Sequence, residues 1–409
     1  MSKVLEMSPQ GVATGVLGCQ IPNTTAGDFT VARASTAAIT TKDGLIEFVG
    51  NDIARVEFLQ GETCPVLLTE PQSTNLVTFS EDFTDVIWNK PNLLASKDVV
   101  TAPDTKLTGN KIFANSINTT HYTSNSFTVV NGEDYALSVF VKKAEFSWVA
   151  VQLQGTGWLG STMQVFFNTD DGTFGTVSGG VEFGSQALED GWYRVFIKNQ
   201  VVSTTANIRI YPCPSDNTLS YLGNSNDGVY IWGAQFEKDN NTSYIATSGA
   251  IATRLKDQVT GAGDAALFND AEGVLYVESK ALSNSGTDRI VSLSDGTTSN
   301  RVYVFYDTNN ELNFFIVSGG VFQVSQVAAG VDILNMNRMA ISWSASSTLI
   351  YVDGTEILSD PSITTPTGLS TLNLSHPNGT SNEFNAETNN IRVYDVAFTA
   401  QQMEDLTTP

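Results

Sequence analysis

Histidine and cysteine are scarce in this chain, with 2 and 3 residues among 409. His121 and His376 stand in no serine- or cysteine-hydrolase setting, which argues against the usual pairing of nucleophile and base. Cys19, Cys64 and Cys213 are odd in number, widely spaced and outside any CxxC pattern. A disulfide framework and a zinc cluster are both disfavoured, and three buried free thiols are the expectation. Basic residues are few as well: 21 Lys and Arg against 43 Asp and Glu leave a net charge of -22, which repels nucleic acid and anionic lipid. No run approaches the ~20 apolar residues of a membrane span. The opening Met1-Ser-Lys-Val-Leu-Glu-Met-Ser-Pro-Gln10 lacks the basic start and apolar core of an export signal. Synthesis in a cytoplasm without export is therefore expected.

Helical periodicity is nearly absent too, and short alternating runs take its place. Tyr135-Ala-Leu-Ser-Val-Phe-Val141, Trp148-Val-Ala-Val-Gln-Leu153, Tyr193-Arg-Val-Phe-Ile197 and Ile208-Arg-Ile-Tyr211 read as strands. Asn131-Gly132, Asp171-Gly172, Asp295-Gly296 and Asp353-Gly354 supply the positive-φ residues of tight hairpins. The fold class is all-β, with two antiparallel β-sandwich (jelly-roll) domains after a short, less regular N-terminal segment. The boundaries are 1–75 for that segment, 76–254 for the first sandwich and 255–409 for the second. Residues 1–75 hold too few periodic apolar positions for a large core of their own, so they should pack on neighbours or on another subunit.

The segment Glu70-Pro-Gln-Ser-Thr-Asn-Leu-Val-Thr-Phe-Ser-Glu-Asp-Phe-Thr-Asp-Val-Ile-Trp88 resembles the junction of tailed-bacteriophage virion proteins, where an attachment region meets a carbohydrate-binding-like (galactose-binding-like) sandwich. Gly228-Val-Tyr-Ile-Trp-Gly-Ala-Gln-Phe-Glu237, Thr242-Ser-Tyr-Ile-Ala-Thr-Ser248 and Thr253-Arg254 resemble the close of the same module, and Gly191-Trp-Tyr-Arg194 a strand within it. Asp28-Phe-Thr-Val-Ala-Arg-Ala-Ser35, Asn51-Asp-Ile-Ala-Arg55 and Cys64-Pro-Val-Leu-Leu68 are similar to the head that precedes the junction, with Ala54 where the family has proline. From residue 258 the strand series, Tyr351-Val-Asp-Gly-Thr355 and the closing Ile391-Arg-Val-Tyr-Asp-Val-Ala-Phe-Thr-Ala-Gln-Gln-Met403 resemble concanavalin A-like or laminin-G-like sandwiches. The phage resemblance implies a structural protein on the virion surface, a tail fibre or adhesin. Its partners would be other virion proteins and host-surface or environmental glycans, and it would form a homo-oligomer, a trimer as in phage fibres. A capsid decoration or head-fibre protein making mainly protein contacts is one alternative, and a glycan depolymerase another.

Retaining glucanases of the concanavalin-like fold carry acids alternating along one strand, and no such ExDxE run occurs here. A non-enzymatic protein is expected, since a fold does not imply its best-known activity. Sugar recognition calls for aromatic faces that stack on pyranose C–H groups and amides that meet hydroxyls. The candidates are Trp148 and Trp158, flanking Gln152-Leu-Gln-Gly-Thr-Gly157, with Gln152, Tyr122 and His121. Trp158 lies between glycines and reads as an exposed loop residue, whereas Trp88, Trp192, Trp232 and Trp343 read as core. In the last module Tyr303, Phe305, Phe314 and Phe315 alternate or adjoin, so some must face outward. No cofactor is required, although calcium suits all-oxygen sites in such sandwiches, with Asp170, Asp171 and Asp295 as candidate ligands.

Overall fold

The computed structural model describes residues 2–22 and 24–409, and they divide into two compact units. The C-terminal unit comprises the chain up to Thr36, Val49–Gln72 and Leu255–Pro409, and the middle unit Ala37–Phe48 and Ser73–Arg254. Both are antiparallel β-structures, and the α-helix among the described residues is the short Ala400–Thr407. None of the described helices is long and apolar enough to cross a membrane.

Alternation along each strand gives each sheet an apolar face, and each unit buries two such faces against one another. In the middle unit, a six-stranded sheet runs in the order Leu93–Val100, Gly109–Ala114, Gly228–Lys238, Asp134–Lys143, Trp192–Gln200, Glu182–Ala187. The late strand Gly228–Lys238 thus returns between two early ones, as a jelly roll requires. Its partner is a five-stranded sheet of Thr123–Thr128, Thr205–Cys213, Trp148–Gln154, Met163–Asn168 and Thr173–Ser178, in that order. Leu137, Val139 and Ile231 of the first sheet and Val149, Val151 and Ile208 of the second share one core. Trp192 and Trp232 pack on the outer side of the six-stranded sheet with Phe140 and Tyr244, beneath the hairpin of Ala37–Thr40 and Ile46–Val49.

In the C-terminal unit, Glu272–Ala281, Asn337–Ser344 and Ala386–Tyr394 form the middle of one sheet, and Arg301–Tyr306 and Leu312–Ser318 belong to the facing five-stranded sheet. The start of the chain extends the first of these. Lys3–Met7 pairs with Ala386–Tyr394, and so does Pro65–Thr69. The first 75 residues therefore supply strands to both units, and their few apolar side chains, such as Leu5, Met7 and Leu67, join a core that the C-terminal residues largely build.

Much of the motif sequence is buried polar structure. In the C-terminal unit Asp257 accepts from Arg33 Nη1 at 2.9 Å, from Arg55 and from the Glu70 backbone N–H, while Arg55 also pairs with Glu70. In the middle unit the fully buried Asn75 donates to the Ala234 and Ile245 carbonyls and accepts from the Val77 and Phe236 N–H groups. Glu237, equally buried, accepts from Ser73, Gln235 and Thr242. Trp88 stacks on Phe83 at 4.8 Å and donates to the Phe79 carbonyl. The cysteines are free; Cys19 and Cys213 are buried, but Cys64 is exposed, because it sits in the turn before Pro65–Thr69 rather than within the strand.

Candidate functional site

The outer face of the five-stranded sheet in the middle unit gathers the chemistry of a binding platform. Along Thr205–Cys213 the inward Ile208 and Ile210 alternate with outward Arg209 and Tyr211, and along Trp148–Gln154 the inward Val149 and Val151 alternate with outward Trp148, Ala150 and Gln152. Register then aligns the outward positions across all five strands. Ser124 pairs with Arg209, Arg209 with Gln152, Gln152 with Gln164, and Gln164 with Ser178. At a strand spacing of ~4.8 Å this polar row runs for roughly 19 Å. Two residues along each strand lies a more apolar row, in which Tyr211 and Phe166 flank Ala150. Tyr122, just before Thr123–Thr128, closes that side with its ring 5.2 Å from Tyr211.

A hydrogen-bond chain ties the rows together. Arg209 Nη1 donates to Tyr211 Oη at 3.3 Å, Tyr211 donates to Gln152 Oε1 at 2.9 Å, and Gln152 Nε2 donates to Gln164 Oε1 at 2.7 Å. Burial holds the Tyr211 phenol above its ordinary pKa despite the Arg209 charge, so it remains a neutral donor. The Arg209 guanidinium lies 4.3 Å from the Tyr122 ring centroid, a cation–π contact that orients its plane. What the chain leaves free is a set of donors, the remaining guanidinium N–H groups at one end and the Gln164 amide at the other. Tyr211, Phe166 and Gln152 are themselves buried, at 2%, 0% and 4% exposure, so the face offers the half-buried Tyr122 and Trp148 rings, the Arg209 guanidinium and the Gln164 amide, a set that suits a polyhydroxylated, acceptor-rich ligand.

Trp148 sits at the end of this face over Gly175. A Cβ at Gly175 would fall 2.6 Å from Trp148 Cζ3 and 2.5 Å from Asp216 Oδ1, and Asp216 is itself held by the Thr176 N–H and hydroxyl. The position requires glycine for space. Gly175→Ala is expected to displace the indole, cost about 1–3 kcal/mol and weaken ligand binding. Urea denaturation and a glycan titration check this, and an unchanged Trp148 environment in both would refute it.

Trp148, Gln152 and Tyr122, expected from sequence, thus come together on one face. The other two candidates do not join them. Trp158 is 1% exposed, its ring turned into the core edge-on to Phe236 and its Nε1 donating to the Asn207 carbonyl. It offers no face to a sugar, because the flanking glycines fold its loop inward rather than leave it standing. His121 is fully buried, with Nδ1 2.7 Å from the Asn92 carbonyl and Nε2 3.0 Å from that of Tyr221. Gln164, Arg209, Tyr211 and Ser124 are the additions. Alternation within Ile208-Arg-Ile-Tyr211 marks two of them as outward, whereas their alignment with Gln152 depends on register.

The proposed calcium ligands do not assemble. Asp170 pairs with Lys143 at 2.5 Å, and Asp171 caps its own turn through the Thr173 N–H and hydroxyl. Asp295 lies in the other unit, where Thr297 and Asn300 occupy both its oxygens. Among the described residues no three His, Cys, Asp or Glu side chains cluster closely enough to share a metal ion. These acids act as turn formers, which satisfies the oxygens that calcium would need.

A second aromatic surface lies in the C-terminal unit. There Phe314 is core, whereas Phe305 and Phe315 meet at 4.6 Å, Phe315 and Phe322 at 5.2 Å, and Arg301 covers Tyr303. Trp343 is buried there as well.

The C-terminal sandwich is a concanavalin A-like, laminin-G-like domain: residues 263–404 match the model of the Concanavalin A-like lectin/glucanases superfamily. Comparison with curated proteins finds no match. Among solved structures, the CBM40 module of a Ruminococcus gnavus IT-sialidase is 14% identical, covering 36% of this chain and 93% of its own, with a TM-score of 0.30. Domain 4 of AbnA, an arabinanase from Geobacillus stearothermophilus, is 15% identical over 42% of this chain and 82% of its own, at a TM-score of 0.30. Domains LG4-5 of the mouse laminin alpha1 chain are 12% identical over 69% of this chain and 89% of theirs, at 0.24. Likenesses this distant carry nothing about a ligand.

Proposed function

We propose that the chain is a non-enzymatic, glycan-binding structural protein of a tailed phage, exposed on the virion surface as part of a tail fibre. The observation that carries the binding reading is the row Ser124, Arg209, Gln152, Gln164 and Ser178, bordered by Tyr122, Tyr211 and Trp148 on one sheet face. The lectin-type domain over residues 263–404 supports it. The phage context rests on the segments from Glu70 to Trp88 and from Gly228 to Arg254, which resemble those of virion proteins. Synthesis in the host cytoplasm and assembly into a homotrimer belong to this reading, and several weak sites per particle would give avidity.

Glycan cleavage needs two carboxyl groups across a sugar ring. The five strands of the platform contain no Asp or Glu. Burial and, less, the nearby Asp104 charge raise the Glu81 carboxyl, but Lys106 pairs with Asp104 and Tyr244 donates to Glu81. Tyr244 belongs to the cluster on the six-stranded sheet, away from the platform. A capsid decoration making protein contacts is the second reading, favoured by Val321 and Phe322, which are 62% and 55% exposed on an aromatic sheet face.

A glycan array with mass spectrometry of the recovered glycans tests the proposal. Binding without cleavage is expected, with Gln164→Ala and Tyr122→Ala each lowering affinity roughly 5- to 10-fold, or about 1–1.4 kcal/mol. Cleaved glycans would move the protein to the depolymerases. Absence of binding would leave the structural virion role alone.

A further inference from the structure

We propose that the platform of the middle unit selects carboxylated glycans, with Arg209 taking the sugar carboxylate. This rests on the glycan-binding reading of the same face. The first observation is the distribution of charge. The chain carries 43 acidic residues, yet the five strands of the platform sheet hold none, and their single charged side chain is Arg209. The six-stranded sheet of the same unit carries both signs, with Lys97, Lys111, Lys142, Lys198 and Lys238 each bonded to a carboxylate. The strands of this face thus contribute one cation and no anion, and the carboxylate that reaches its aromatic end, Asp216, comes from a loop.

The second observation is that Arg209 is oriented but not neutralised. Its plane is set by the Tyr122 ring at 4.3 Å and one Nη1 hydrogen bond to the neutral Tyr211, and it enters no ion pair among the described residues. Arg33 and Arg55 in the C-terminal unit meet carboxylates, and Arg289, in no ion pair among the described residues, is buried and spends its N–H groups on carbonyls, whereas Arg209 stays part-exposed with most of its fork unspent. The N–H groups that remain form a planar fork, and a carboxylate matches that fork with two parallel hydrogen bonds. Gln152, 4% exposed and bonded to Tyr211 and Gln164, stands beside Arg209 and orients the half-buried Gln164 beyond it, whose amide can meet sugar hydroxyls next to the carboxylate. The rim acid closest to the aromatic end, Asp216, has its oxygens engaged by Thr176. The net charge of -22 acts over distance and is screened beyond ~8 Å at physiological salt, whereas a fork in contact is screened far less.

The test measures binding of the full chain to three acidic oligosaccharides, oligogalacturonate, oligomannuronate and α2,8-oligosialate, each beside its methyl ester. The ester keeps the ring and hydroxyls and removes the charge. At least one acid is expected to bind tenfold or more tightly than its ester. Arg209→Gln should reduce that acid to the level of the ester, and Arg209→Lys, which keeps charge but not the fork, should recover only part of the difference. Arg209 is only part-buried, so the Gln variant should keep the wild-type thermal midpoint, which separates lost recognition from lost folding. Equal binding of acids and esters, or an Arg209→Gln variant that still prefers the acid, would overturn the assignment of Arg209 and leave the glycan platform standing. Failure of every acid and ester to bind would overturn both.

Discussion

Asp257→Ala is expected to destabilise the C-terminal unit by about 3–5 kcal/mol, the largest single-residue effect foreseen for this chain. Asp257 lies between two guanidinium groups that have no access to water: Arg33 and Arg55 are 2% and 0% exposed, and the acid itself 3%. Arg33 is also tied to the carbonyls of Ser35, Gly50 and Ile53, so it cannot swing out to recover hydration when its partner goes. Arg55 would keep Glu70, whereas Arg33 would lose the carboxylate it meets and the Glu70 N–H the oxygen it donates to. Removing one member of a buried set costs far more than the set contributes, because an uncompensated charge remains in low dielectric. Hydrogen exchange on the full chain should show faster opening of Glu272–Ala281 and Pro65–Thr69, with Asp134–Lys143 unchanged. A loss below about 1 kcal/mol would mean that water reaches the cluster.

Asn75→Ala should cost the middle unit about 3 kcal/mol or more, through a different mechanism. The side chain carries no charge and little volume, but it is fully buried and serves four backbone groups from three parts of the chain. Alanine leaves two carbonyls and two N–H groups without partners in a place that water does not enter. Each such group costs about 1–3 kcal/mol, and relaxation of the neighbours recovers part of the sum. Asn75→Asp should be no better, since it keeps the acceptor oxygens, loses both donors and brings a charge toward the Ala234 and Ile245 carbonyls. Urea denaturation of both variants checks this. An Asn75→Ala variant of wild-type stability would sink the account, and with it the view that the Thr74-Asn75-Leu76 motif is structural.

Together these two positions explain why the most distinctive segments of the sequence are not the binding site. Arg33, Arg55, Glu70, Asn75, Gln235, Glu237 and Thr242 all lie in the motifs that resemble virion proteins, and all are buried and bonded. Polar residues in a core must meet specific partners, so they leave a sharp sequence signature. A solvent-facing platform needs only residues of the right kind on one side of a sheet. Arg209, Gln152 and Gln164 accordingly look, in sequence, like any outward strand positions.

The amino-acid sequence by itself determined the all-β class, the two sandwiches and the concanavalin A-like character of the C-terminal one, because alternation, turn residues and motif order are local properties. It also determined that Trp192, Trp232 and Trp343 would be buried, since each sits in a strand run whose apolar positions need a core, and that Trp88 would be structural. Tertiary structure decided what depends on residues far apart in the chain. Register alone brought Ser124, Arg209, Gln152, Gln164 and Ser178 into one row, with Trp148 on the same face, and loop folding turned Trp158 inward. Strand pairing also carried Lys3–Met7 to the last strand of the chain. A one-residue slip in any of these pairings would reverse which side chains face outward, and no local pattern specifies which of many compatible strands becomes the neighbour.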